Sequence, residues 1–547
     1  MLRRTVNIGA LLLCAVSISA AISLGATWAA TAPTPQQRVD TAYAAMGGDK
    51  LVALKTISFR ANIHQWDPGE SFSTADSDTP DVQSSQLVQS RDFVKGLVHN
   101  EWVRPRNDTG GTRTFTEIVT PTAGYSIGND TTAGRLPKRT ITGPTGLPEH
   151  SFSGRRLTAT LRELARFTVI QDMKAHPDRV SAHEDIQTAG KNWPTVQYRG
   201  DYGTFLVMFD TATNLPARVR SDDWDALEGD SFFDATFDDW RDVAGAKVPF
   251  RTHYTINGMN VADMTLSNVT ANPTLAPSLF TIPAAQLRTA AKPADPKITP
   301  FQWIIRRQYS GFYFDSDTMY VNDGEQMKMM DIAPNVSLAM GNTHNTVFIA
   351  MNTYLIALEA PNDDGQAKLA IALAKQRFPG KPIKYLVLSH HHVDHVGGMR
   401  TFAAEGATIV FGRGTAPNTQ YYRRALNNTQ DLNWNKPAMP REPELIDVKD
   451  KWTVTDGGRE FSAYIIDNPH ADGMLMGYLP EAKLGFVTDV WIPTPQPVTE
   501  SNPGLASVIH GVEKWGLKPE KFSGGHGTIG DYAQAAAVVK AAEARGR

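Results

Sequence analysis

From Val248 to Asn257 the chain alternates between apolar and polar positions. Val248, Phe250, Thr252, Tyr254 and Ile256 share one parity, and Arg251, His253, Thr255 and Asn257 the other. A period of two predicts a strand with one buried face. Asn257-Gly258 predicts a tight turn, and Ala262, Met264 and Leu266 give the returning strand its apolar parity. Gly203 to Asp210 reads as a strand apolar on both faces, ending at a turn near Asn214-Leu215-Pro216. Strand-like patterning extends from about Thr56 to Phe280, interrupted by one helical segment over 154–175. The expectation is a β-rich, antiparallel, strongly curved sheet with some helix. Ahead of it, Gln36 to Met46 reads as a short helix stopped by Gly47-Gly48.

The rhythm changes after about Tyr320. Val336 to Met340, Thr346 to Ala350 and Tyr354 to Glu359 read as strands. Asp364 to Phe378 is an amphipathic helix with Leu369, Leu373 and Ala374 inward, ended by Pro379-Gly380. The apolar run Ile383 to Leu388 is a buried strand, Met399 to Ala404 a helix, and Ala407 to Phe411 the next strand. This is a βαβ unit, so the C-terminal part is α/β. The proline-rich Ala290 to Pro300 is a linker in composition. The expected division is a signal peptide over 1–32, a β-rich domain over 33–289, a linker and connecting segment over 290–319, and an α/β domain over 320–547.

Length and composition fit this division. A chain of 547 residues suggests roughly three to four units, and a formal net charge of -3 gives no support to a nucleic-acid partner. Met1-Leu2-Arg3-Arg4, the apolar stretch from Ile8 to Ala26 and the small residues Ala29, Ala30 and Ala32 have the layout of a secretory signal peptide. A retained anchor is the alternative, and Arg3-Arg4 hints at twin-arginine export. The expected location is periplasmic or secreted, with no stable membrane span once the signal is removed. The single cysteine, Cys14, lies inside that segment. The mature chain then has no thiolate, and any metal ligands must be nitrogen and oxygen.

Chemistry concentrates after the strand 383–388, in Ser389-His390-His391-His392-Val393-Asp394-His395-Val396-Gly397-Gly398. Imidazole and carboxylate are the ligands of hydrolytic divalent metals, and the two glycines would let the backbone pass close to what the side chains hold. Three later loops supply further candidates: His470 in Asp467-Asn468-Pro469-His470, Asp489 at the end of Phe486-Val487-Thr488-Asp489, and His526 in Gly524-Gly525-His526-Gly527.

In this order His390-x-His392-x-Asp394-His395, His470, Asp489 and His526 resemble the metallo-β-lactamase superfamily, over roughly 320–547. The resemblance implies an αββα sandwich with two metals at one edge of its sheets. It implies one metal held by His390, His392 and His470, a second by Asp394, His395 and His526, and Asp489 bridging both. Asp394 is also the expected catalytic residue, orienting a hydroxide shared by the metals. Two divalent ions are implied, zinc first, with iron or manganese as alternatives. The β-rich region faintly resembles periplasmic lipoprotein-carrier half-barrels, which would imply an apolar or acyl-bearing ligand. A β domain that only braces its neighbour is the plain alternative.

Other histidines carry less. His391 is expected to point away from the metals, His510 to be a packed or surface residue, and His344 to lie on a loop overhanging the site. His64, His99, His150, His176, His183 and His253 show no ligand spacing. Tyr478 reads as core. The expected function is an exported binuclear-metal hydrolase of an ester, lactone or related bond in a small-molecule or acyl-bearing substrate. A periplasmic carrier with a secondary lactamase-like domain is one alternative. A β-lactamase-type amide hydrolase is another, although dedicated enzymes of that kind generally lack the bridging acid that Asp489 would supply.

Overall fold

Strand Ala246–Ile256 turns at Asn257-Gly258 into Met259–Ala271, with Ile256 opposite Met259. Both turn residues have positive φ, 49° and 86°, which an Asn-Gly pair adopts with little strain. In this computed structural model residues 32–546 are described, except 76–80, 106–111, 129, 131–148, 189, 299–304, 306–326, 341–343 and 417. The expected signal segment and most of the expected connecting segment lie outside the described residues.

The hairpin sits mid-way in a 13-stranded antiparallel sheet. From Thr56–Trp66 the strands run in chain order out to one edge at Glu149–Ser151. Thr56–Trp66 also pairs with Met259–Ala271, from which the order runs back to the other edge at Val180–Ala182. Helix Gly154–Ala175 connects the two edges, at the position expected from the sequence. Ser153 caps it by accepting from the Arg156 amide at 3.2 Å. Ala159, Val169, Ile170 and Met173 of this helix pack with Phe59, Phe233 and Tyr254 of the sheet. Buried Arg156 is matched to Glu117 and Asp130, each at 2.8 Å, so its charge is compensated inside the domain.

The C-terminal part has two sheets, one of seven strands (Lys328–Ala333 to Leu445–Val448) and one of six (Lys451–Asp456 to Ile529–Asp531). Both run in chain order. Helices Asp364–Arg377, Met399–Ala404 and Asn418–Asn427 cover the first sheet, while Pro503–Lys514 and Tyr532–Glu543 cover the second. Successive residues of a central strand serve opposite layers. Leu386 and Leu388 face the helices, and Val387 faces the second sheet beside Val410, Phe461 and Phe486. Burial on both sides explains the unbroken apolar run. The result is the expected αββα sandwich.

The β domain is stitched to this sandwich. Trp224, Ala226 and Leu227 belong to the core of its first helical layer. Arg400 donates to the Ala226 carbonyl at 2.6 Å, and both oxygens of Asp230 accept, at 2.8 Å each, from the amides of Asp431 and Leu432. Gly229 has φ of 75°, and a Cβ there would lie 2.3 Å from the Thr429 carbonyl, so only glycine fits this seam. Among the described residues no helix is long and apolar enough to cross a membrane.

Candidate metal centre

The loops that follow the central strands of both sheets meet at one edge of the sandwich. Strand Ile383–Leu388 delivers His390, His392, Asp394 and His395. Leu484–Val487 delivers Asp489, and Lys521–Gly524 delivers His526. His470 comes from the loop after Arg459–Ile465.

Asp489 stands in the middle. Its Oδ2 lies 2.9 Å from His470 Nε2, 3.1 Å from His395 Nε2 and 3.3 Å from His390 Nε2. Its Oδ1 lies 2.8 Å from His526 Nε2. The seven residues anticipated from the sequence are therefore brought together. Together with His344 they form two groups, His390, His392, His470 and Asp489 in one, and His344, Asp394, His395 and His526 in the other. Asp489 has φ of 59°, a left-handed conformation uncommon outside glycine and asparagine, and the surrounding loops hold it there.

The donors suit a divalent cation. Six imidazoles, that of His344 included, and two carboxylates face one another in a largely buried space, a costly arrangement unless an ion compensates it. His392 Nδ1 and Asp394 Oδ1 are buried and make no hydrogen bond among the described residues. Burial, reinforced by His470, lowers the His392 imidazole to about 3. Burial first, then His392 and His395, also hold His390 well below the usual histidine range. Both rings are thus neutral near pH 7, the form that binds metal. Burial alone would raise the Asp489 carboxyl, but His395 and His526 outweigh it and keep the group ionised.

A supporting layer orients these groups. Glu359 accepts from the Ser389 amide at 2.8 Å and meets His395 Nδ1 at 2.6 Å. That fixes the far nitrogen of His395 and turns Nε2 inward. Ser389 Oγ does the same for His390 Nδ1 at 2.9 Å. Gly525 leaves room beside the site, since a Cβ there would lie 2.6 Å from Thr488 Oγ1 and 3.4 Å from His395 Cε1. The glycines of the motif act differently from expectation. Gly397 is helical, with φ of -58°, and a Cβ there would lie 2.0 Å from the Asn362 carbonyl. The pair admits the loop 360–363 rather than an ion.

Three residues of the centre escaped the sequence reading. His344, expected only to overhang the site, is buried, with Nε2 2.8 Å from Asp394 Oδ2 and its ring 4.4 Å from that of His526. Burial and then His526 push it down to about 3. Glu359 stands where a strand was expected to end, and its φ of 71° is the local sign of a special role. Glu70, far away in sequence, lies 3.3 Å from His392 Nδ1. The residues expected to be peripheral are so. His391 is in neither group and instead faces the Ser71 carbonyl at 2.9 Å. His510 pairs with Glu543 at the surface, and Tyr478 is buried in its strand.

Residues 358–526 match the metallo-beta-lactamase superfamily. Comparison with curated proteins gives no match. Similar solved structures include a stereoselective inverting sec-alkylsulfatase from Pseudomonas sp., at 17% identity and a TM-score of 0.30. That likeness covers 45% of this chain and 43% of the alkylsulfatase, so the chain spans less than half the length of that relative. A metallo-beta-lactamase from Pontibacter korlensis is 16% identical, with a TM-score of 0.28, over 39% of this chain and 98% of its own. The mono-zinc form of a metallo-beta-lactamase from Pseudomonas aeruginosa is 17% identical, with a TM-score of 0.30, over 40% of this chain and 96% of its own.

Proposed function

We propose that this chain, a metallo-β-lactamase superfamily member by its residues 358–526, is an exported hydrolase that uses two divalent metals to cleave an ester, lactone or related bond. The observation that carries the reading is the position of Asp489. One of its oxygens lies within 3.3 Å of three imidazole nitrogens, and the other lies 2.8 Å from a fourth. A carboxylate so placed would serve two cations at once.

In this reading His390, His392 and His470 would hold one ion, and Asp394, His395 and His526 would hold the other. Zinc suits a donor set of nitrogen and oxygen, with iron or manganese as alternatives. Bound there, two such ions would supply a water acidified towards neutral pH and a positive charge for the oxygen under attack. Asp394 would supply a carboxylate to take the water's proton and to aim its oxygen at the substrate. His344, in contact with Asp394 Oδ2 at 2.8 Å, fixes that carboxylate's orientation. Glu359 and Ser389 keep the ligating rings from turning. The test is metal content together with chelator-sensitive turnover of a panel of esters, lactones and β-lactams.

The β domain supports a second reading for the substrate's remote part. A cavity between helix Gly154–Ala175 and the sheet is lined by Phe59, Leu87, Trp102, Phe237 and Met264. Such a lining suits an acyl-bearing molecule, whether as substrate or as carried ligand. Native mass spectrometry after mild extraction tests it by showing whether an apolar molecule accompanies the chain.

A further inference from the structure

The β domain reaches the metal centre through the loop that follows strand Thr56–Trp66. The Ser71 carbonyl lies 2.9 Å from both His391 Nε2 and His392 Nε2 and accepts from them. The next carbonyl, at Phe72, accepts from the Asp472 amide at 2.8 Å. Asp472 follows His470 in the same loop, and its Oδ2 accepts from the Thr415 amide at 2.5 Å and from the Thr415 hydroxyl at 2.6 Å. Thr74 Oγ1 donates to Asn418 Oδ1 at 2.6 Å, and Asn418 Nδ2 donates to the Gly412 carbonyl at 2.9 Å. Segment 71–74 is thus fastened to three parts of the α/β domain: the histidine motif, the loop of His470 and the stretch 412–418.

Two of these parts carry donors of one group, since His392 and His470 belong with His390 and Asp489. A carbonyl can only accept, so the His392 ring that faces Ser71 carries its proton on Nε2 and keeps its lone pair on Nδ1. Ser389 and Glu359 orient His390 and His395 from within the α/β domain. His392 takes the same kind of support from the other domain. The neighbouring carbonyl, at Phe72, holds the backbone of the loop that presents His470.

We propose that segment 71–74 of the β domain positions His392 and His470, so that the ion they would share with His390 is held tightly only while the two domains are docked. The inference rests on the two-metal reading above. Ser71 and Phe72 are positioning residues that act through their backbone carbonyls. His391 shares the Ser71 carbonyl without joining either donor group, so it steadies the loop rather than the ion.

Zinc titration of the full chain tests this with a variant that changes no side chain. Phenyllactic acid in place of Phe72 turns the 71–72 peptide into an ester, whose carbonyl accepts a hydrogen bond more weakly than that of an amide. The exchange also removes the Phe72 amide hydrogen, which makes no hydrogen bond among the described residues. One of the two zinc ions should bind about tenfold more weakly, while the other keeps its affinity. Thr74→Val deletes the hydroxyl that meets Asn418 and should weaken the same ion by a smaller factor, and Thr74→Ser should restore it. Exchange of the His392 ring N–H, followed by NMR in the zinc-loaded protein, should quicken in the ester and in Thr74→Val. Zinc affinities equal to those of the wild type in both variants would overturn the assignment and leave the two-metal reading intact. An equal loss of affinity for both ions would also overturn it, because the loop would then act on the fold at large. A wild-type chain that binds fewer than two zinc ions would overturn the two-metal reading itself.

Discussion

Glu359 Oε2 lies 2.6 Å from His395 Nδ1, with both side chains fully buried. The same carboxylate accepts from the Ser389 amide through its other oxygen, at 2.8 Å. One acid thus ties the end of a neighbouring strand to the start and the end of the histidine motif. Glu359→Gln keeps the shape but weakens the hold on the ring. Affinity for one of the two ions should fall roughly 10–100-fold, while the thermal midpoint of the metal-free protein changes little. Competition with a metal-binding dye reads the difference.

Asp394→Ala should abolish most turnover, by roughly 100-fold or more, with the fold intact. It removes at once a proposed ligand and the group that takes the water's proton. Near-normal turnover in this variant would mean that another group does that work. His391→Ala should keep both metals and most of the activity, and lose only about 1 kcal/mol with the hydrogen bond to Ser71. A metal content below that of the wild type would show that His391 belongs to the centre.

Asp363 gives the molecule a pH dependence away from the candidate metal centre. Burial, opposed by the Gln366 amide and helped by Asp364, raises its carboxyl from 3.8 to about 7. The folded value lies above the unfolded one, so the unfolded chain gives up this proton first. Stability therefore falls as pH rises from about 4 to 7, and the loss is complete above that range. Asp363→Asn keeps an acceptor for the Gln366 amide, which Asp363 Oδ1 meets at 2.8 Å, and carries no charge. It should melt near the wild type at pH 4 and above it at pH 8, by an amount of order a few kcal/mol. Equal midpoints at pH 8 would show that Asp363 ionises freely in the folded state.

Gly229→Ala tests the seam between the domains. The new Cβ would meet the Thr429 carbonyl in a backbone conformation that alanine rarely adopts. Destabilisation of at least about 1 kcal/mol is expected. It should appear in calorimetry as a broader or divided transition, because Asp230 beside it holds Asp431 and Leu432. A single unshifted transition would mean that the seam contributes little to the cooperativity of unfolding.

Much of this was legible in the sequence where local pattern and global fold agree. Ala246–Ile256 alternates because one face of its sheet is buried, and Ile383–Leu388 is continuously apolar because both faces are. The seven residues of the centre were visible because their loops follow recognisable strands in a familiar order. His344, Glu359 and Glu70 were not. Each works by long-range contact: Glu359 reaches a motif 36 positions on, and Glu70 reaches His392 from another domain. Side-chain periodicity carries no mark of such pairings. The role of Gly397 was misread for the same reason, since the backbone that crowds it, at Asn362, comes from a separate loop.

In the proposed site Asp489 joins two metal positions into one hydrolytic centre. The decisive measurement is metal analysis of the purified chain, followed by hydrolysis of an ester and lactone panel before and after chelation. Two divalent ions per chain, turnover lost on chelation and restored by zinc, are the predicted results. Two bound ions with turnover indifferent to the chelator, or turnover from a chain that binds none, would contradict it.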